Sequence, residues 1–214
     1  MKDIYANSNR VVTRELAMSG TSLQYSVLTQ HQTEAVQIVD RYWHQLAAQG
    51  VLPKRADIDP GNIQDALEYA FLAEQLSGGH AKLRVAGGSI SSVLGMEVAG
   101  MPLAVLVSPE DRADFTSHVA CVFAEPVKLA LTLTAPAAYG QPELQATLRL
   151  YPLLDHAGRA RQLIGTFVTT GTIGRTPRRF AIEGVETTPV AQTSTLPKAP
   201  IRRRGHLSLV VSNG

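Results

Sequence analysis

The sequence is poor in cysteine, because Cys121 is the only thiol among its 214 residues. A single cysteine excludes an intrachain disulfide and a thiolate metal cage, and it agrees with a reducing compartment. No run of about 18 uncharged apolar residues is present to cross a bilayer. The first 20 residues also lack the apolar stretch and cleavage site of a secretory signal. We therefore expect a cytoplasmic protein with no transmembrane segment.

Motifs that carry catalysis or metal binding are missing as well. The sequence has no G-x-S-x-G nucleophile signature, and "VAGGSISSVLG" lacks the glycine and lysine spacing that wraps phosphates. The six histidines lie far apart and form no H-x-x-x-H pattern with a carboxylate: His31, His44, His80, His118, His156 and His206. We therefore expect no enzymatic activity and no metal site.

Charge is unevenly distributed, although the net charge is only +2. Residues 175–214 contain seven basic and two acidic residues, a net charge of +5, which leaves −3 for the rest of the chain. This division predicts a mildly acidic folded body and a basic C-terminal arm. The arm contains Arg202, Arg203 and Arg204 without an aromatic neighbour, so it does not indicate specific nucleic-acid binding. The segment "HLSLVV" that follows could add a strand to an exposed sheet edge.

One segment has a clear helical period. Between His31 and Gln49, apolar residues recur with helical spacing, and Gly50 is a plausible stop. The resulting apolar face must cover either the sheet of its own chain or a partner helix. We interpret four of its residues as a dimer or partner surface: Val36, Val39, Trp43 and Leu46.

The remaining patterns indicate a sheet with short helices. Residues 67–76 and 80–87 read as a hairpin around "SGG", and strands are predicted at 127–135, 143–154 and 161–171. "GSISSVLG" reads as a short helix, and Ser108 followed by Pro109 as the start of another. The order predicts an α+β domain whose five-stranded antiparallel sheet is covered by helices on one face.

The order of the elements and the stretch "LGMEVAGMPLAVLVSPEDRADF" resemble PAS domains. More narrowly, three stretches resemble a family of small bacterial single-PAS proteins, common in alphaproteobacteria and formerly described as a domain of unknown function: "LPKRADIDP", "LRVAGGSISSVLGMEVAG" and "LYPLLDHAGRARQLIG". The resemblance implies a PAS-like domain at 31–174. Residues 1–30 show no sustained period and are expected to form a loosely ordered arm, and the composition of residues 175–214 predicts a flexible basic tail. The resemblance also implies that "LPKRADIDP" is a rigid bracket, with Arg55, Asp57 and Asp59 held in caps and ion pairs.

The PAS resemblance further implies an apolar pocket between the sheet and the helices. From it and from strand alternation we predict eight lining residues, for which plain core packing is the alternative: Val85, Leu94, Leu106, Phe115, Val119, Leu131, Leu148 and Phe167. Haem held through His118 is a minor alternative to the expectation of no cofactor. Flavin photochemistry through Cys121 is excluded, because this cysteine lies in an apolar helix as a small hydrophobe.

These expectations define a sensory or regulatory module without a catalytic output domain. It would act by contact with a signalling partner, by a small apolar ligand, or by both, and a homodimer through the N-terminal helix is expected. The rival interpretation is a small α+β enzyme or carrier for a lipid or ring compound, which requires convergent polar groups inside the pocket. A scaffold with a filled core and no ligand is the third.

Overall fold

Six antiparallel strands form the centre of the molecule in a computed structural model that describes residues 28–48, 50–125 and 127–190. The strands lie in the order β2-β1-β5-β4-β3-β6. Their bounds are β1 Ala70–Gln75, β2 Ala81–Ala86, β3 Val127–Ala135, β4 Leu144–Leu154, β5 Ala160–Thr170 and β6 Ala181–Pro189. The five predicted strands are confirmed, and β6 is an addition to them.

Three α-helices accompany the sheet in the described part of the chain: α1 Gln30–Leu46, α2 Gly88–Leu94 and α3 Arg112–Ala124. Short 3₁₀ turns at Arg55–Asp57, Pro60–Ala66 and Leu103–Leu106 connect these elements. No helix among the described residues is long and apolar enough to cross a membrane.

The ends of the helices follow local chemistry. Thr29 caps α1, because its hydroxyl accepts a hydrogen bond from the backbone N–H of Gln32. The helix ends at Leu46, earlier than the expected stop at Gly50. Likewise α3 begins later than Ser108, whose hydroxyl instead donates to the Asp111 carboxylate at 2.9 Å.

The inner face of the sheet, which α2 and α3 cover, holds the main core. Along β3 and β4, every second side chain is apolar and buried, and each points to this face because strand residues alternate between faces. Packing is tight where β1 pairs with β5. A Cβ atom at Gly165 of β5 would lie 2.4 Å from the ring of Phe71 of β1.

The short helices lie on one face of the sheet, as expected, and the outer face is covered as well, by the N-terminal helix. Helix α1 packs there, and Trp43 donates its indole N–H to the carbonyl of Pro152 at 3.0 Å. The reason lies in β4, where residues 150–153 are all buried and therefore supply apolar surface to both faces. An apolar outer face must find a cover, and α1 provides it.

The predicted flexible tail is wrong for its first part, since residues 175–190 belong to the fold. Strand β6 pairs with β3 along its whole length, and Arg178 and Phe180 just before it are buried. Pairing with an edge strand, not apolar patterning, holds β6 in place, because most of its side chains are exposed. Residues 1–27 of the arm predicted at 1–30, Arg202 to Arg204 and the "HLSLVV" segment lie outside the described residues.

Candidate functional site

Seven of the eight predicted pocket residues meet in the inner core. Each is no more than 2% exposed: Leu94, Leu106, Phe115, Val119, Leu131, Leu148 and Phe167. Phe167 packs edge-to-face on Phe180 with ring centroids 5.7 Å apart. These side chains pack on one another, as the core-packing alternative expects. The buried polar or charged side chains of the described residues are Ser89, Thr166 and Arg178, with no carboxylate among them.

Val85 lies away from the other seven, and its predicted inward position is wrong. Leu72 pairs with Val85 and Ala73 with Leu83, so Arg84 is an extra residue in β2. Such a bulge shifts the alternation by one residue and turns the following side chain to the other face. Val85 is therefore 57% exposed on the outside of the sheet.

Val85 forms one wall of an apolar groove on the outer face, which we call the outer groove. It has a volume of about 290 Å³ and is lined by Ile58, Ile63, Leu67, Leu72, Val85 and Ile164, among others. Leu67, on the opposite side from the sheet, is 43% exposed. Large apolar side chains that stay accessible around a concavity are typical of a contact surface.

The "LPKRADIDP" segment builds the other wall of the outer groove. The Asp57 carboxylate accepts from the backbone N–H of Lys54 at 2.8 Å, and the Asp59 carboxylate accepts from Gly61 at 2.9 Å. The Tyr42 hydroxyl of α1 donates to the Asp57 carbonyl at 3.0 Å and accepts from the Asp59 N–H at 2.9 Å. The expected caps are present, whereas no ion pair within the described residues includes Arg55.

The four α1 residues interpreted as a partner surface are used within the chain, so that interpretation is wrong. Val36, Val39 and Trp43 are at most 5% exposed, and Leu46 is half-buried. They face the sheet because Tyr151, Leu153 and Ile164 present apolar surface to them. The side of α1 that remains exposed is polar and includes His31, Glu34, Gln37 and Arg41.

A small polar pocket lies between α1 and strands β3, β4 and β6. Its volume is about 120 Å³, and Asp40, Lys128, Arg149 and Glu186 line it together with Tyr151. The Tyr151 hydroxyl donates to the Asp40 carboxylate at 3.0 Å, and burial, with the nearby charge of Asp40, raises the pKa of Tyr151. Positive and negative side chains line this pocket together. The hydrogen bond between Tyr151 and Asp40 joins β4 of the sheet to α1.

The described residues offer few side chains that could bind a metal ion or a cofactor. No group of three or more His, Cys, Asp or Glu side chains there could hold a metal ion. Cys121 is exposed on α3, whereas the sequence predicted that it would behave as a small hydrophobe. His118 is half-buried on the same helix, while its neighbours Phe115 and Val119 fill the interior. The absence of a cofactor stays a prediction, with haem through His118 as its minor alternative. Haem would require space that Phe115 and Val119 occupy.

Sequence reasoning missed the role of Arg178. Its guanidinium is 2% exposed and donates to the backbone carbonyls of Ile173, Ala135, Pro136 and Pro142. Desolvation lowers the pKa of this arginine, and no carboxylate compensates it. The arginine thus ties the segment before β6 to the end of β3. In the sequence it is one basic residue among several in a polar stretch, so no local pattern marks it.

The PAS domain family model matches residues 30–168, which is more than half of the chain. Among solved structures, an RNA-binding light-oxygen-voltage receptor is similar, with 19% identity over 56% of this chain and 36% of that chain and a TM-score of 0.37. The periplasmic sensory domain of the Campylobacter jejuni chemoreceptor Tlp1 shows 11% identity over 64% of this chain and 53% of that chain, with a TM-score of 0.29. The chain thus covers less than two thirds of either protein. No curated protein matches it.

Proposed function

Because the chain belongs to the PAS domain family, we propose that it is a sensory or regulatory module that acts by contact with a partner protein and has no catalytic output. Its α+β fold is PAS-like, as expected from the sequence. We further propose that it works in the cytoplasm. A module without catalysis must pass its signal through a surface, so the surface is what needs to be identified.

The outer groove is the observation that carries this proposal. Val85 and Leu67 expose apolar surface on either side of it, although water disfavours such exposure. The bulge in β2 places Val85 there, and the capped turns after Pro53 hold the opposite wall. A fixed apolar concavity suits an apolar side chain or short segment of another protein.

A homodimer stays part of the proposal, but it does not use the four α1 residues. Val39 and Trp43 could reach a second copy only if α1 left the sheet, which would expose the apolar side chains that α1 covers on the outer face. A dimer would instead use accessible surface.

The proposal is tested by charged substitutions in the outer groove. The variants Val85→Glu and Leu67→Glu place a carboxylate where a partner's apolar group would be buried, so we expect loss of specific partners when each variant is purified from its native cells. Tyr139→Glu is the matched control, since Tyr139 is 92% exposed and lies away from the groove. Quantitative mass spectrometry compares the co-purified proteins. Equal recovery with all three variants would contradict the proposal.

A further inference from the structure

A second cleft, which we call the arginine cleft, lies on the other side of the molecule from α1. It is formed by the turn at Leu103–Leu106, the first half of α3, His80 before β2, and Arg179 before β6. Its volume is about 510 Å³. Sites for small molecules commonly enclose about 300–1,000 Å³, so the cleft is large enough for a compact metabolite.

The lining of the arginine cleft combines an apolar floor with positive charge. Pro102, Ala104, Val105 and Ala113 supply the floor, and Arg112 and Arg179 supply guanidinium groups. None of its eight lining residues is Asp or Glu. The carboxylate of Asp111, next to Arg112 in the sequence, accepts from the Ser108 hydroxyl and from the N–H of Ile182.

The two arginines are available to an external anion. Arg179 donates one N–H to the carbonyl of Val105 at 3.1 Å, which holds its guanidinium at the floor of the cleft. No ion pair within the described residues includes Arg112 or Arg179. A guanidinium has five N–H donors, so one bond to a carbonyl leaves several for a carboxylate.

The lining of the arginine cleft differs from that of the polar pocket and of the outer groove, and the difference indicates which kind of ligand it would bind. In the polar pocket, Lys128 and Arg149 line the same space as the carboxylates of Asp40 and Glu186. The outer groove is lined by apolar residues without a charged side chain. Among these three, the arginine cleft alone combines positively charged and apolar lining residues with no lining carboxylate, which complements a molecule with an anionic head and an apolar body.

We propose that the arginine cleft binds a small organic anion, a monocarboxylate with a short apolar body, through Arg112 and Arg179. The carboxylate accepts charge-assisted hydrogen bonds from the two guanidinium groups, and the apolar body rests on Val105 and Ala113. This inference is independent of the proposed partner contact, because the two sites share no residue.

Octanoate is the test probe, titrated into the full-length ¹⁵N-labelled protein and followed by amide chemical shifts. We expect saturable shifts centred on Ala104, Val105 and Ala113. Acetate lacks the apolar body, 1-octanol lacks the charge and octyltrimethylammonium has the wrong charge, so each should bind at least about tenfold more weakly. Shifts confined to the inner core or the outer groove, or no saturable binding of octanoate, would overturn the proposal.

Matched arginine variants separate this site from general surface charge. Arg112→Gln and Arg179→Gln should each weaken octanoate binding by about tenfold, because each removes a charged donor. Arg161→Gln, at an exposed position on β5, should leave the affinity unchanged. Thermal unfolding of each variant verifies that the fold persists. Unchanged octanoate affinity in both cleft variants would also overturn the proposal.

Discussion

The two faces of the sheet bury apolar surface in different ways. On the inner face, α2, α3 and the segment leading to β6 enclose a continuous apolar cluster that includes Phe167 and Leu131. On the outer face, α1 covers β4 and β5 but leaves the outer groove beside β1 and β2, and a polar pocket beside β3. The inner face is therefore filled by packed side chains, while the outer face retains accessible apolar surface in the outer groove.

Truncation of an inner side chain should have the largest effect on stability. Phe167→Ala removes a fully buried ring that packs on Phe180, so the free energy of unfolding should fall by about 3–5 kcal/mol. Urea unfolding followed by circular dichroism measures this change. Tyr139→Ala, at a 92% exposed position, is the control and should cost less than about 0.5 kcal/mol. Equal losses for both variants would contradict a filled inner core.

A substitution of Arg178 tests whether its hydrogen bonds hold the segment before β6 against the rest of the fold. Arg178→Met keeps the apolar stem but leaves the carbonyls of Ala135 and Pro142 without their donor, so we expect a loss of about 2–4 kcal/mol. Arg175→Met changes an exposed arginine nearby and should be close to neutral. Hydrogen exchange should also become faster in β6 for Arg178→Met alone. If β6 stays protected and stability is unchanged, the arginine does not hold this segment.

Tyr151 tests the outer face through pH. Its pKa is raised in the folded protein, so the unfolded chain loses the phenol proton first, from about pH 10 upwards. The contribution of Tyr151 to stability is therefore complete below pH 10 and decreases as the pH rises above it. At neutral pH, the free energy of unfolding of the wild type should exceed that of Tyr151→Phe by about 1–2 kcal/mol. This difference should shrink above pH 10. A difference that stays constant to pH 11 in urea titrations would argue against the buried contact with Asp40.

Thr166 should give the smallest effect. It is 1% exposed on β5, and its hydroxyl oxygen has no hydrogen-bond partner within residues 28–48, 50–125 and 127–190. Thr166→Val replaces the hydroxyl by a methyl group of similar shape, so the free energy of unfolding should stay equal or rise by up to about 1 kcal/mol. Thr166→Ser keeps the hydroxyl, loses the methyl and should lower stability by about 1 kcal/mol. The reverse order in thermal unfolding would show that the hydroxyl has a partner.

Much of the inner face could be predicted from the sequence. Leu144, Ala146 and Leu148 alternate with polar residues, and this pattern depends only on which side chains face a core. Asp59 and Pro60 marked the start of a turn by the same local chemistry. Local patterns of this kind report burial and capping, so they were sufficient for five strands and for the short helices.

The outer face and the last strand depended on contacts that no local pattern records. In the sequence, Val85 follows the apolar alternation of Ala81 and Leu83. The bulge at Arg84, which arises from pairing with β1, turns the Val85 side chain to the other face of the sheet. Strand β6, "AIEGVETTP", contains glycine and proline and few apolar residues, and its pairing with β3 makes it a strand. The apolar face of α1 was recognised, whereas its target, β4 with two apolar faces, required the tertiary structure.

Native mass spectrometry of the purified full chain, with its absorption spectrum, tests the central contrast most directly. The packed inner core predicts the mass of the polypeptide alone per chain and no absorption band beyond that of its aromatic residues. A chromophore or an apolar metabolite that stays bound to the wild type and is lost on Phe167→Trp would show that the interior holds a ligand. That result would contradict a filled inner core.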